Sequence, residues 1–119
     1  MKVIVAGSRT FNDYPLLCSK LDKILSRQKE VQIVCGEAKG ADALGRRYAK
    51  EKGYEILSYP ADWDKYGKSA GFKRNLQMSE IADGLVAFWD GKSKGTKHMI
   101  DTMQTMNKPV RIVIYGERQ

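Results

Sequence analysis

Short apolar runs alternate along this chain with longer segments in which apolar residues recur every three or four positions. The short runs are rich in β-branched and aromatic residues and are closed by Gly, Pro or Asp, a pattern typical of β-strands. The first two are almost continuously apolar, as expected for strands buried on both faces of a parallel sheet. The runs predict strands at residues 2–6, 31–35, 54–59, 85–89 and 110–115.

The longer segments have the spacing of amphipathic helices. Asn12 or Asp13 can cap the first helix, with Pro15 in its first turn, and Gly53 is well suited to end the second. Methionines on one face of the fourth helix are interpreted as core residues rather than as a cofactor site. The segments predict helices at about residues 14–29, 41–52, 69–83 and 96–106.

Strict alternation of strands and helices predicts a parallel sheet with helices on both faces. Because parallel crossovers are right-handed, few topologies remain. We expect an α/β fold, a Rossmann-like three-layer α/β/α sandwich with a five-stranded parallel sheet in the order 3-2-1-4-5. The length of 119 residues fits one domain, residues 1–119, and the last residues, 117–119, are expected to fray.

Composition and charge narrow the classes of partner. The chain has 21 Lys and Arg against 14 Asp and Glu, a net charge of +7, which favours an anionic partner. No apolar run approaches the ~18 residues of a membrane span, so no membrane partner is expected. Cys18 and Cys35 cannot form a disulfide framework and fit a reducing, cytoplasmic compartment. A single histidine without a Cys/His cluster predicts no metal site, and no cofactor is expected.

Unusual residues collect in the segments that follow the strands. Ligands of open α/β sheets bind outside the carboxyl ends of the strands, where the strand order reverses. Glycine-containing loops that precede helices let backbone N–H groups approach an anion, although one such loop alone is more often a simple turn. The segment 91–96 matches neither GxxxxGK[ST] nor GxGxxG, so no standard dinucleotide site is predicted. The predicted ligand-binding residues are Gly7, Ser8, Arg9, Gly36, Glu37, Gly40, Ala41, Asp42, Trp63, Arg74, Asn75, Asp90, Gly91, Ser93, Gly95 and Thr96.

Side-chain chemistry ranks these candidates. Arg9 and Arg74 are the strongest for phosphate, because a guanidinium can bind it through two parallel hydrogen bonds. Trp63 or Trp89 can stack on a base or sugar at the same edge of the sheet. His98 is interpreted as a surface residue of the fourth helix rather than as a catalyst.

Four segments, taken in order, resemble the YspA/YpsA-related SLOG family: GSRTF, CGEAKGADALGRRYA, PADWDKYGKSAGFKRNLQM and FWDGKSKGTKHMI. This resemblance covers about residues 1–115 and implies a Rossmann-like domain that binds nucleotides or nucleotide-derived ligands such as ADP-ribose. Domains of this family are proposed as sensors or processors in prokaryotic and phage–host conflict.

A more distant resemblance is to the LOG-type nucleoside-monophosphate phosphoribohydrolases. Their motifs match this chain at Arg74, Gly95 and Thr96. Their catalytic glutamate has no counterpart, because Lys97, His98 and Met99 follow Thr96. The match therefore extends to ligand binding and stops short of the catalytic group.

Three functions remain open from the sequence. The first is a binding domain for a nucleotide-derived ligand, acting as a sensor or a sequestering protein. The second is a nucleotide hydrolase or glycosidase in which Glu37 or Asp42 acts as acid or base. The third is binding of single-stranded nucleic acid, which the positive charge favours. An open sheet also leaves an edge strand and helix faces for association with a second copy.

Overall fold

A computed structural model of the protein describes residues 1–115, and the predicted fraying at 117–119 lies outside that range. Strands and helices alternate as the sequence predicts, with an additional short α-helix followed by a 3-10 turn at Gly67–Ser69. In chain order the elements are β1 (Lys2–Gly7), α1 (Tyr14–Leu25), β2 (Gln32–Cys35), α2 (Ala41–Lys52), β3 (Glu55–Ser58), α3 (Trp63–Tyr66), α4 (Ala70–Ile81), β4 (Gly84–Trp89), α5 (Lys94–Thr105) and β5 (Val110–Ile114).

The sheet has five parallel strands in the order β3-β2-β1-β4-β5. This confirms the predicted Rossmann-like architecture and strand order. The order reverses between β1 and β4, which pair directly, with Val5 opposite Val86. The candidate site is therefore expected above the carboxyl ends of these two strands.

Alternate side chains of β1 supply two separate cores. Val3 and Val5 pack with α1 and α2 on one face of the sheet, whereas Ile4 and Ala6 pack with α4 and α5 on the other. Residues 3–6 are all buried, as expected for a central parallel strand. Met99 and Met103 of the predicted methionine stripe belong to the second core, together with Met78 of α4. The interpretation of Met106 as a core residue is wrong: it lies just past the end of α5 and is 37% exposed.

Local chemistry explains the start of α1 and the end of α2. The Asp13 carboxylate accepts the N–H of Leu16 at 3.1 Å and caps α1. Gly53 ends α2 in the left-handed conformation, with φ of 74°, and its N–H reaches the carbonyls of Ala49 and Lys50. The prediction that α1 continues to residue 29 is wrong: the helix ends at Leu25.

Two further differences affect the site. The helix α3 was not predicted; the Asp62 carboxylate caps it by accepting the N–H of Lys65 at 3.0 Å. Helix α5 begins at Lys94 instead of residue 96, so Gly95 and Thr96 lie in its first turn and not in the preceding loop. Within residues 1–115 no helix is both long enough and apolar enough to cross a membrane.

Candidate ligand-binding groove

Two adjoining cavities lie above the carboxyl ends of the strands. The inner cavity, of about 190 Å³, lies between the end of β1, α4 and the start of α5. The outer cavity, of about 350 Å³, lies between the segments that follow β2 and β3. They share Arg9, Ala38, Trp63 and Arg74, so together they form one groove with two basic side chains where the cavities meet.

The structure brings most of the predicted residues to this groove. The inner cavity is lined by Gly7, Arg9, Asp42, Trp63, Arg74, Asn75, Ser93, Gly95 and Thr96. Gly36 and Glu37 line the outer cavity. The remaining predicted residues line neither cavity and lie in the neighbouring loops or at the start of α2; they are Ser8, Gly40, Ala41, Asp90 and Gly91.

Ser8 joins the segment after β1 to its neighbours. It is buried, its N–H donates to the Phe88 carbonyl at 3.0 Å, and its hydroxyl accepts the N–H of Asp90 at 3.1 Å. Its carbonyl accepts the N–H of Ala41 at 3.3 Å. Gly40 has φ of 74°, and a Cβ there would lie 2.3 Å from the Ser8 carbonyl oxygen. These residues support the site and are not placed to contact a ligand by side chain.

Asp90 organises the segment between β4 and α5. Its carboxylate accepts the N–H groups of Lys92 and Ser93, each at 2.8 Å. These backbone hydrogen bonds lower the pKa of Asp90. The two N–H groups are therefore occupied within the loop. The first N–H groups of α5, at Gly95 and Thr96, have no acceptor within the helix, and both residues line the inner cavity.

Arg74 connects three elements of the site. One terminal nitrogen donates to the Gly36 carbonyl at the end of β2, and Nε donates to the Asn75 side-chain oxygen at 3.1 Å. Asn75 Nδ2 lies 3.3 Å from the Gly95 carbonyl and 3.2 Å from His98 Nδ1 on α5. A Cβ on Gly36 would lie 2.6 Å from the Arg74 guanidinium, so glycine is needed for this contact.

Burial shifts the ionisation of the two charged groups beside Gly36. Burial lowers the pKa of Arg74, and the positive charge of Arg9 acts in the same direction, whereas the Asp42 carboxylate opposes it. Asp42 is 5% exposed, and burial raises its pKa to about 6 despite the opposing charge of Arg74. Its Oδ2 accepts the N–H of Ala38 at 3.4 Å. The groove thus combines a partly buried cation with a buried carboxyl whose pKa is raised by its burial.

Glu37 is engaged elsewhere. Its carboxylate accepts Cys35 Sγ–H at 2.9 Å and pairs with Arg46 at 3.0 Å. Partial burial raises its pKa, but the hydrogen bond from Cys35 and the charge of Arg46 together bring the pKa below its ordinary value. Burial and the contact with Glu37 raise the pKa of Cys35 to about 12. Asp42 is consequently the better candidate for an acid or base.

The two tryptophans have different roles. Trp63 on α3 is 53% exposed and lines both cavities, so its ring is free to stack on a ligand. Trp89 is half-buried against the second core, and its Nε1–H donates to the Ser93 carbonyl at 3.0 Å. Trp89 therefore supports the segment between β4 and α5 and is a structural residue.

Comparisons with known proteins agree with this architecture. The sequence profile of the YspA, cpYpsA-related SLOG family (YAcAr) matches residues 1–66. The chain belongs to this family. The Gene 61 protein of Mycobacterium phage D29 is 34% identical over 124 residues, covering 98% of both chains.

Solved structures show the same fold as this SLOG chain. DNA processing protein A (DprA) from Streptococcus pneumoniae has a TM-score of 0.74 at 18% identity and is matched over 97% of this chain and 50% of its own. The protein TM1055 has a TM-score of 0.67 at 20% identity, over 92% of this chain and 71% of its own. The SLOG chain therefore spans about half the length of DprA.

Several groove residues were missing from the sequence-based set. Met78 and Met99 form an apolar floor of the inner cavity, and Phe72, which is 48% exposed, lies at its side. The Phe72 ring packs on the His98 ring with centroids 4.4 Å apart. Helical spacing contained a usable signal, because Gly71, Arg74, Asn75 and Met78 share one face of α4.

Proposed function

We propose that this SLOG chain binds a nucleotide-derived ligand through its phosphate groups and acts as a sensor or a sequestering protein. The observation that supports this most directly is the pair Arg9 and Arg74, which lie where the two cavities meet. In this proposal an anionic group occupies the junction of the two cavities, beside both guanidiniums.

The Arg74 guanidinium is held in position and has further donors that an anion could accept. Its contacts with Gly36 and Asn75 hold the guanidinium in place but use only two of its five N–H donors. A partly buried cation gains from an anionic partner more than a solvated one does. The first turn of α5 adds the positive end of a helix dipole beside Ser93 and Thr96 on the same cavity.

The division into two cavities favours a ligand with two organic parts joined by phosphate. ADP-ribose has this form, with a diphosphate between a nucleoside and a second ribose. Trp63 lines both cavities and offers a stacking surface for the base. Asp42 offers carboxylate oxygens to a ribose hydroxyl at the inner cavity.

Calorimetric titration with AMP, ADP, ADP-ribose and NAD tests the proposal. Arg74→Ala should weaken binding by about 10-fold to 100-fold, because it removes hydrogen bonds to a charged group. Arg74→Lys should recover only part of the loss, since lysine lacks the planar fork. Arg27→Ala, an exposed charge beyond the far end of α1, is the matched control. Equal affinities for the Arg74 and Arg27 variants, or no binding of any of these ligands, would contradict the proposal.

Asp42 favours a second candidate function, hydrolysis of a nucleotide or glycosidic bond at the same site. A buried carboxyl with a pKa of about 6 that lines the inner cavity has the properties of a general acid or base near neutral pH. Turnover lost in Asp42→Asn with binding retained, and kept in Glu37→Gln, would support this function. Binding of a ligand without turnover over hours would exclude it for that ligand.

A basic and aromatic strip beside the groove favours nucleic acid as the alternative partner. The Lys65 and Lys73 ammonium groups lie 5.1 and 4.9 Å from the Tyr66 ring centre, close to the exposed Trp63. DprA, a neighbour in fold, is named as a DNA processing protein. Binding of a single-stranded oligonucleotide that weakens steeply with salt, combined with no response to the small ligands, would favour this alternative.

A further inference from the structure

We propose that His98 is a positioning residue that orients Arg74 through Asn75, and that protonation of His98 breaks this chain of contacts and weakens anion binding in the groove. The inference rests on the proposed function, because it assigns regulation by pH to the same site. It gives a role to a histidine that the sequence places on the surface of a helix.

The hydrogen-bond chain has one consistent direction. Arg74 Nε is a donor only, so the Asn75 atom 3.1 Å away must be the side-chain oxygen. The Asn75 amide nitrogen then faces both the Gly95 carbonyl at 3.3 Å and His98 Nδ1 at 3.2 Å. Because that nitrogen is also a donor, Nδ1 must accept, and the imidazole must carry its proton on Nε2. Asn75 is 6% exposed, so water does not readily replace these partners.

Protonation of the ring is incompatible with this arrangement. A proton on Nδ1 places two donors against each other at the contact between His98 and Asn75. Turning the amide over would satisfy His98 but would put the amide nitrogen against Arg74 Nε, which is also a donor. If the amide stays in place, the contact between His98 and Asn75 is lost and Asn75 is no longer held from α5 by His98. If the amide turns over, the contact between Asn75 and Arg74 is lost, and Arg74 keeps only its contact with the Gly36 carbonyl.

The surroundings of His98 set the pH range. On its own helix Asp101 raises the pKa of the ring, but burial has the larger effect and keeps the pKa below its ordinary 6.5. From α4 the neighbours are Phe72 and Asn75, both uncharged, with Arg74 beyond Asn75. The change is therefore expected below the ordinary pKa of histidine, 6.5.

The sign of the pH effect separates this inference from simple charge attraction. Protonation of His98 and of Asp42 both make the groove more positive, so attraction alone would strengthen anion binding as the pH falls. The positioning chain has the opposite consequence: affinity for an anion falls as His98 is protonated. By reciprocity a bound anion should lower the pKa of His98.

Nuclear magnetic resonance can test the chain without any ligand, since His98 is the one histidine of the 119 residues. In the ligand-free protein the ring should carry its proton on Nε2 at neutral pH. In an Asp42→Asn background, which removes the titrating carboxyl that interacts with Arg74, the Arg74 Nε–H signal should titrate with the midpoint of His98. In that background His98→Asn keeps an acceptor near the Nδ1 position without titrating, so the Arg74 signal should then be independent of pH. His98→Leu removes the acceptor and should shift that signal at every pH.

Affinity for ADP-ribose between pH 5 and 8 gives the second measurement, because its diphosphate does not titrate in that range. In an Asp42→Asn background the affinity should fall roughly tenfold towards pH 5, and the added His98→Asn change should abolish this fall. An Arg74 signal that ignores the titration of His98, or affinity that rises towards acid pH, would overturn the inference. If ADP-ribose binds at no pH, the proposed function fails for this ligand. The Arg74 signal alone then tests whether His98 positions Arg74 through Asn75.

Discussion

Asp42→Asn is expected to stabilise the protein at neutral and alkaline pH. The folded protein holds the Asp42 proton with a pKa of about 6, against an ordinary value of 3.8, because the side chain is buried. The folded state thus binds this proton more tightly than the unfolded state, and stability falls as the pH rises through about 4 to 6. A difference of that size corresponds to roughly 3 kcal/mol above pH 7.

The substitution removes this penalty and also removes a favourable carboxylate near the start of α2. That second effect opposes the gain by up to about 1 kcal/mol, so we expect a net gain of about 2 kcal/mol at pH 8. Near pH 4, where the carboxyl is protonated, the variant and parent should agree within about 1 kcal/mol. Urea unfolding without ligand, in buffers that lack phosphate, measures the difference in stability at pH 8 and near pH 4. Asp64→Asn, at an exposed position of α3, is the control. A variant less stable than the parent at pH 8 would refute the argument, because it would mean that the buried carboxylate is stabilised by its partners.

Three further predictions concern residues that shape the groove. Gly36→Ala places a Cβ 2.6 Å from the flexible end of Arg74, so calorimetry should show at least tenfold weaker ligand binding while the melting temperature changes little. Gly7→Ala places a Cβ 2.1 Å from the Phe88 carbonyl oxygen, which is backbone, so urea unfolding should show a loss of about 3 kcal/mol or more; Gly95→Ala meets nothing within 4 Å and should show no such loss. Trp63→Ala should weaken ligand binding by about 1–3 kcal/mol with unchanged stability, because the ring is 53% exposed; equal affinities would exclude stacking.

The architecture was predictable because several signals agree. Apolar runs closed by turn residues mark all the strands, and strict alternation with helices leaves few parallel topologies. Capping chemistry at Asp13 and Gly53 gave the correct start of α1 and end of α2. The short helix α3 was not predictable from periodicity, since Trp63–Tyr66 is a single turn whose signal is limited to the cap at Asp62.

The sequence was sufficient to identify the loops that carry the candidate site residues, but not the contacts that those residues make. Strand order alone places Arg9, the segment after β2 and the start of α5 at one edge. Spacing did not reveal that Asp90 occupies the N–H groups of its own loop, or that Glu37 is held by Arg46. Such contacts depend on side-chain rotamers and on elements distant in sequence, which a local pattern does not encode.

The methionine floor beneath the inner cavity has a consequence for how this family can diversify. Met78 and Met99 belong to a packed core and also line the cavity, and methionine is unbranched and adapts to different shapes. In the proposed function, recognition by charge and hydrogen bonds falls to the rim above this floor, on Arg74, Asn75 and Asp42. Exchanges at the rim can therefore redirect the protein to new molecules while the floor accommodates each by small rotamer changes. A library randomised at the rim, with both methionines kept, should yield folded variants with altered ligand preference.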